Sequence, residues 1–227
     1  MKAGLLASTS TLQTFSRGSA STPKRQLLPP PLANILSDIR RCFDEKLYYP
    51  ALTVALTLPE ICASCLLPPT TFVKQDDYTR FLTDYVKNDD LGVDPLTCYR
   101  LRGGVVHRAN ASGHPYISRD GEAVENVIFT LPETGFFLHG PSLSVGGHLA
   151  ITITLEQFLD VMEACVRRWY DEHRENDAVN ERIWSMLALR PNGIPGFVDG
   201  APVVASGPEH PELISPIKFP GPADKVI

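Results

Sequence analysis

The chain has 227 residues, 43% of them hydrophobic and 21% charged, the make-up of one ordinary globular core and too little for two large domains. Its formal net charge of −5 excludes a uniformly basic nucleic-acid coat, while a local basic site survives such a sum because surface fields follow arrangement. No apolar run approaches membrane-spanning length. Five scattered cysteines, Cys42, Cys62, Cys65, Cys98 and Cys165, fit reduced core thiols in a cytoplasmic protein better than a disulfide framework.

Residues 1–30 run into Pro29-Pro30-Pro31 and lack apolar periodicity, so a disordered extension is expected there. Their Ser/Thr-rich, acid-free composition with Arg17, Lys24 and Arg25 mimics a transit peptide, but an extension or an early start codon is the simpler account. The helical domain is placed at 31–190. Leu32, Ile35, Leu36, Ile39, Phe43 and Leu47 recur at three- and four-residue steps and predict a first helix. Pro50 suits the first turn of a second, whose run Ala51 to Leu58 is apolar enough to be central, with Pro59 expected to kink or interrupt it.

A short helix from about Asp76 to Val86 places Tyr78, Phe81, Leu82 and Tyr85 on one side. The next helix has Asp94 as N-cap and Pro95 in first position. From about 111 to 154 the period changes, and segments 127–131, 135–139 and 148–153 read as strands of a small inserted sheet. Thr154-Leu-Glu-Gln157 is a capping-box signature. It opens a long helix with Phe158, Val161, Met162, Cys165 and Trp169 on its apolar face. A further helix is expected from about Ala178 to Leu189, and residues 191–227 form a Pro/Gly-rich tail.

Chemistry concentrates between Asp94 and Asp120, where no acidic residue occurs but Arg100, Arg102, His107, Arg108, His114 and Arg119 do. Arginine offers a rigid fork of donors for phosphate, and histidine moves protons near neutral pH. At about 100° per residue, Arg100 and His107 fall within roughly 20° of each other on one helix face, with Gly103 between them. The opposite face, Cys98, Leu101, Val105 and Ala109, is the core stripe. Arg102 sits at its edge, roughly 140° from His107.

Arg102-Gly-Gly-Val-Val-His107 resembles the R-x4-6-H motif of the HEPN superfamily at four-residue spacing, and Arg100 to His107 resembles it at six. Tyr48-Tyr-Pro-Ala-Leu-Thr-Val-Ala-Leu-Thr-Leu-Pro-Glu-Ile-Cys62 followed by Cys98 to His107 looks like a group of uncharacterised bacterial proteins, and the likeness covers most of residues 32–170. It implies a mainly α fold, a HEPN-like helical bundle with a small inserted β-sheet, paired as a homodimer. It further implies RNA cleavage without a metal or other cofactor, in a toxin–antitoxin or defence setting with an antitoxin or defence partner.

Under that likeness His107 is the general acid or base, and Arg102, with Arg100 as rival, neutralises phosphoryl charge. Tyr99 and Arg108 would bind substrate, Tyr99 by stacking a base. Active members usually carry a polar residue directly after the motif arginine, whereas Leu101 follows Arg100 and Gly103 follows Arg102 here. A non-catalytic HEPN-like dimerisation or interaction module is therefore the alternative, and under a plain structural reading Arg102 pairs with a carboxylate such as Glu60. The single pair Cys62-Ala-Ser-Cys65 reads as two core cysteines rather than a metal or redox site. No metal ligands are expected among His114, His139 and His148.

Overall fold

The computed structural model describes residues 27–87, 91–117, 123–135, 137–145, 147–194 and 196–207. Six α-helices take up about half of these residues. A four-stranded sheet and two small ribbons accompany them, so the architecture is mixed α/β rather than purely helical. The expected disordered extension, up to residue 26, and the tail from 208 onward lie outside the described residues. None of the described helices is long and apolar enough to cross a membrane.

Helix α1 (Pro30–Asp44) buries Leu32, Leu36, Ile39 and Phe43 of the expected stripe; Ile35 is partly buried, and Leu47, past the end of the helix, is exposed. Helix α2 (Tyr48–Ser64) packs against α1, against α3 (Gln75–Tyr85), against α4 (Pro95–Arg108) and against α5 (Leu155–His173). Its central place follows from its composition: Ala51, Leu52, Ala55, Leu56 and Leu58 are all buried. Pro59 does not interrupt it, and the helix runs on to Ser64 with Pro59 itself buried. The amide that proline lacks leaves one main-chain acceptor short, and a helix packed by four neighbours tolerates that.

Helix α4 begins as its sequence dictates. The Asp94 carboxylate accepts from the amides of Leu96 and Thr97 at 2.9 and 3.0 Å, and Pro95 occupies the first turn. Thr97, Cys98, Leu101, Gly104 and Val105 form its buried face. Ala109, expected on the core stripe, is instead exposed and ends the helix: it adopts the left-handed conformation at φ 50° and returns its amide to the carbonyls of Gly104 and Val105. Asn110 donates to the Gly104 carbonyl at 3.1 Å and turns the chain into the sheet.

The sheet runs β1 (Ser112–Ile117), β2 (Ala123–Thr130), β4 (His148–Thr154), β3 (Ser142–Val145) in spatial order. β2 and β4 are parallel; β1 and β3 pair antiparallel at the two edges. The described residues of the segment expected as a strand at 135–139, namely 135 and 137–139, are not in one. A single 3-10 turn, Pro132–Thr134, precedes it, and the next strand forms only from Ser142. Pro132 and the left-handed Gly135 (φ 65°) explain this, since neither favours a continuous ladder.

Thr154 precedes α5 but does not cap it. Its hydroxyl faces the Leu138 carbonyl at 3.2 Å and the Thr130 hydroxyl at 3.4 Å, serving the strand it terminates rather than the helix it opens. Helix α6 (Asp177–Trp184), capped by Asn176, stops earlier than its periodicity suggests. Leu187 and Leu189 are exposed, and Ala188–Arg190 instead forms β5, paired with β8 (Val203–Ala205). Between them β6 (Gly193–Ile194) pairs with β7 (Val198–Asp199). Arg190 is buried at the base of the ribbons and donates to the carbonyls of Gly207 and Trp184 at 2.5 and 3.3 Å.

Candidate functional site

The last turns of α4 bring two of the expected residues together. Arg102 Nη1 lies 3.4 Å from His107 Nε2. His107 is exposed, whereas the Arg102 side chain retains only 13% of its accessible surface. His107 and Arg108 also occupy the helix C-terminal turn, where positive charge meets the negative end of the macrodipole. That is reason enough for basic residues there even without a ligand.

Glu60, three turns along α2 from Tyr49, completes the group. Its Oε2 accepts from Arg102 Nε at 3.0 Å and from Nη2 at 2.5 Å. The Tyr99 ring lies beneath the same guanidinium, 5.5 Å from Cζ to centroid, and meets the buried Tyr78 edge-on at 5.4 Å. The arginine is thus held on one edge by a carboxylate and on one face by an aromatic ring. Burial works to lower its pKa, and the hydrogen bond and charge of Glu60 outweigh that, so it rises above its ordinary value. Arg102 is a fixed cation at any physiological pH.

The remaining expected residues fall as follows. Arg100 is half-buried, and it is Arg102 rather than Arg100 that reaches His107. Arg108 is exposed beyond His107, and its charge opposes the upward push that burial gives the Tyr116 hydroxyl. Tyr99 is packed against the core with its ring engaged by Tyr78 and Arg102. Arg119 lies outside the described residues, and of His114 only the backbone, in β1, is described.

Two residues on α2 join the site from outside the Arg/His stretch: Glu60, expected from sequence only as an ion-pair partner of Arg102, and Tyr49, to which the motif spacing assigns no role. The Tyr49 hydroxyl donates to the Val105 carbonyl at 3.2 Å while half of the residue stays exposed, so its ring flanks the end of α4. A signal was present: Tyr49, Thr53, Thr57 and Glu60 recur at four-, four- and three-residue steps as a polar stripe along an otherwise apolar helix.

The other clusters are structural. Cys62, Cys65, Cys98 and Cys165 are buried. Burial pushes Cys62 well above the usual thiol range, Cys65 up to about 11 and Cys98 up to about 12, the reverse of what a reactive or metal-binding thiol needs. His148 pairs with Glu125 at 2.8 Å on the exposed sheet surface, and His139 Nδ1 accepts the Thr154 amide at 3.3 Å. Among the described residues no group of three or more His, Cys, Asp or Glu side chains is arranged to hold a metal ion. Compared with protein-family models, with curated proteins and with solved structures, the chain matches none.

Proposed function

We propose that the chain is an RNA endonuclease of the HEPN type, working as a cytoplasmic homodimer without a metal, in a toxin–antitoxin or defence setting. One observation carries the reading: the guanidinium of Arg102 and the imidazole of His107 lie tip to tip at 3.4 Å on the solvent side of α4. That pairing places a fixed positive charge beside a group able to exchange protons. A phosphodiester needs both for internal transesterification.

In this mechanism His107 takes the proton of the ribose 2′-hydroxyl or returns one to the leaving 5′-oxygen. Arg102 neutralises the charge that gathers on the non-bridging oxygens as the 2′-oxygen attacks phosphorus. The P–O5′ bond breaks, leaving a 2′,3′-cyclic phosphate and a 5′-hydroxyl. Arg108 and Arg100 add phosphate contacts, and Tyr99 contributes by seating Arg102 as well as by any stacking at its rim. Cleavage of RNA in excess chelator, with the new ends identified by mass spectrometry, tests this. Products bearing 2′,3′-cyclic phosphates support it, and 3′-hydroxyl ends contradict it.

The second reading, a non-catalytic interaction module built on the same bundle, has its own support. Glu60 already satisfies one edge of Arg102, and Leu101 and Gly103 follow the two arginines in place of a polar residue. Under this reading the wild-type chain self-associates but leaves RNA intact.

A further inference from the structure

We infer that Glu60 is the positioning residue of this site, fixing which edge of Arg102 faces a phosphate; the inference rests on the ribonuclease reading above. A guanidinium has five N–H donors in a planar fork. Here Nε and Nη2 both donate to one oxygen, Glu60 Oε2, so that edge is occupied by the protein itself. Nη1 is left on the side of His107 Nε2. With the Tyr99 ring under the plane, the guanidinium is held on an edge and a face, and its remaining donors lie where the proton-transfer group is.

Two consequences of opposite sign follow. The ordering of a long side chain is completed during folding instead of during the reaction, which favours turnover. The Glu60 carboxylate also cancels most of the attraction that Arg102 would exert on RNA, which disfavours binding. Three N–H bonds remain, two on Nη1 and the second on Nη2, so a phosphate beside His107 meets the end-on Nη1/Nη2 edge while the Nε/Nη2 edge stays with Glu60. That edge suits the non-bridging oxygens of an internal phosphodiester presented beside His107.

The test compares wild type, Glu60→Gln and Glu60→Ala for RNA cleavage in chelator and for RNA binding at low salt. The Arg102 Nε–H resonance is recorded for all three. Glutamine keeps the shape and an acceptor but removes the charge, so it covers the case in which alanine fails to fold. Expected are an Nε–H signal shifted downfield by the carboxylate in wild type alone, a kcat reduced about a hundredfold in Glu60→Ala and by less in Glu60→Gln, and tighter RNA binding in both. An unchanged or increased kcat overturns the inference, as does binding that weakens in step with kcat. A wild-type Nε–H signal like that of free arginine overturns it irrespective of activity. A wild type that shows the downfield signal but cleaves no RNA sinks the ribonuclease reading while leaving the Glu60 hold on Arg102 established.

Discussion

Arg102 and His107 touch at their side-chain ends, Nη1 to Nε2 at 3.4 Å, although an ideal helix directs the two residues about 140° apart. The empty side of Gly103 resolves the conflict. Gly103 lies on the arc between them, and His107, one turn further on, leans back toward the helix N-terminus and over that gap. A Cβ built on Gly103 meets nothing within 4 Å, so no side chain fills the arc between Arg102 and His107.

The two adjacent glycines therefore predict opposite outcomes. A Cβ on Gly103 meets nothing within 4 Å, so Gly103→Ala should stabilise the fold by about 1 kcal/mol through helix propensity. A Cβ on Gly104 collides with the Asn110 carbonyl oxygen and comes within 3.5 Å of the Tyr116 hydroxyl. Gly104→Ala should destabilise by about 1–3 kcal/mol, the range for overpacking. Thermal and urea melts of the two variants check both signs. Equal shifts in the same direction would contradict the packing described at the end of α4.

Ala109 holds φ at 50° to close α4 and aim the chain at β1. A side chain in this region is strained by about 1 kcal/mol relative to glycine. Ala109→Gly should raise stability by about that amount without altering RNA cleavage. A melting temperature at or below that of wild type would mean that the turn relaxes differently.

How much of this was legible in the sequence differs from element to element. Helix α4 was readable because its signals are local: Asp94 and Pro95 mark its start, and Cys98, Leu101 and Val105 mark its buried side. The end of α5 nearest the sheet was half readable. Thr154 does sit at the helix boundary, but its hydroxyl is taken by Leu138 and Thr130, partners that only the tertiary fold brings near. Residues 185–190 carry a helical apolar rhythm, yet Leu187 and Leu189 find no core to enter and the chain turns into a ribbon with Val203–Ala205. At the site, helical projection favours Arg100 as the partner of His107, whereas the structure brings Arg102 there. Projection treats side chains as radial spokes, and a long, flexible arginine beside two glycines is not one. The Glu60 contact, joining residues 42 apart in sequence, has no spacing signature of its own.

The thiols supply a test that is independent of RNA. Cys62, Cys65, Cys98 and Cys165 are buried and only Cys42 is partly exposed, so a thiol reagent should modify one of five cysteines in the folded protein and all five after denaturation. Folding stability should also fall at high pH. In the unfolded chain these thiols ionise near 9.0, but in the folded protein burial holds Cys65 at about 11 and Cys98 at about 12. Above pH 9 the unfolded state binds fewer protons than the folded one, so stability present below about pH 9 is lost as the pH rises through 11–12. Urea midpoints measured from pH 8 to 11 should decline steadily. A flat profile, or rapid modification of more than one thiol without denaturant, would contradict the buried cluster.

The proton-transfer pair itself is tested most directly by cleavage of a mixed-sequence RNA in excess EDTA, comparing wild type with His107→Ala, Arg102→Ala and Arg100→Ala at matched folded concentration. Wild type is expected to cleave. His107→Ala and Arg102→Ala should each lose about a hundredfold or more, consistent with removing a general acid–base group or a charge-stabilising donor. Arg100→Ala should lose far less. Equal cleavage by all four proteins, or an Arg100→Ala that falls as far as His107→Ala while Arg102→Ala stays active, would contradict that expectation.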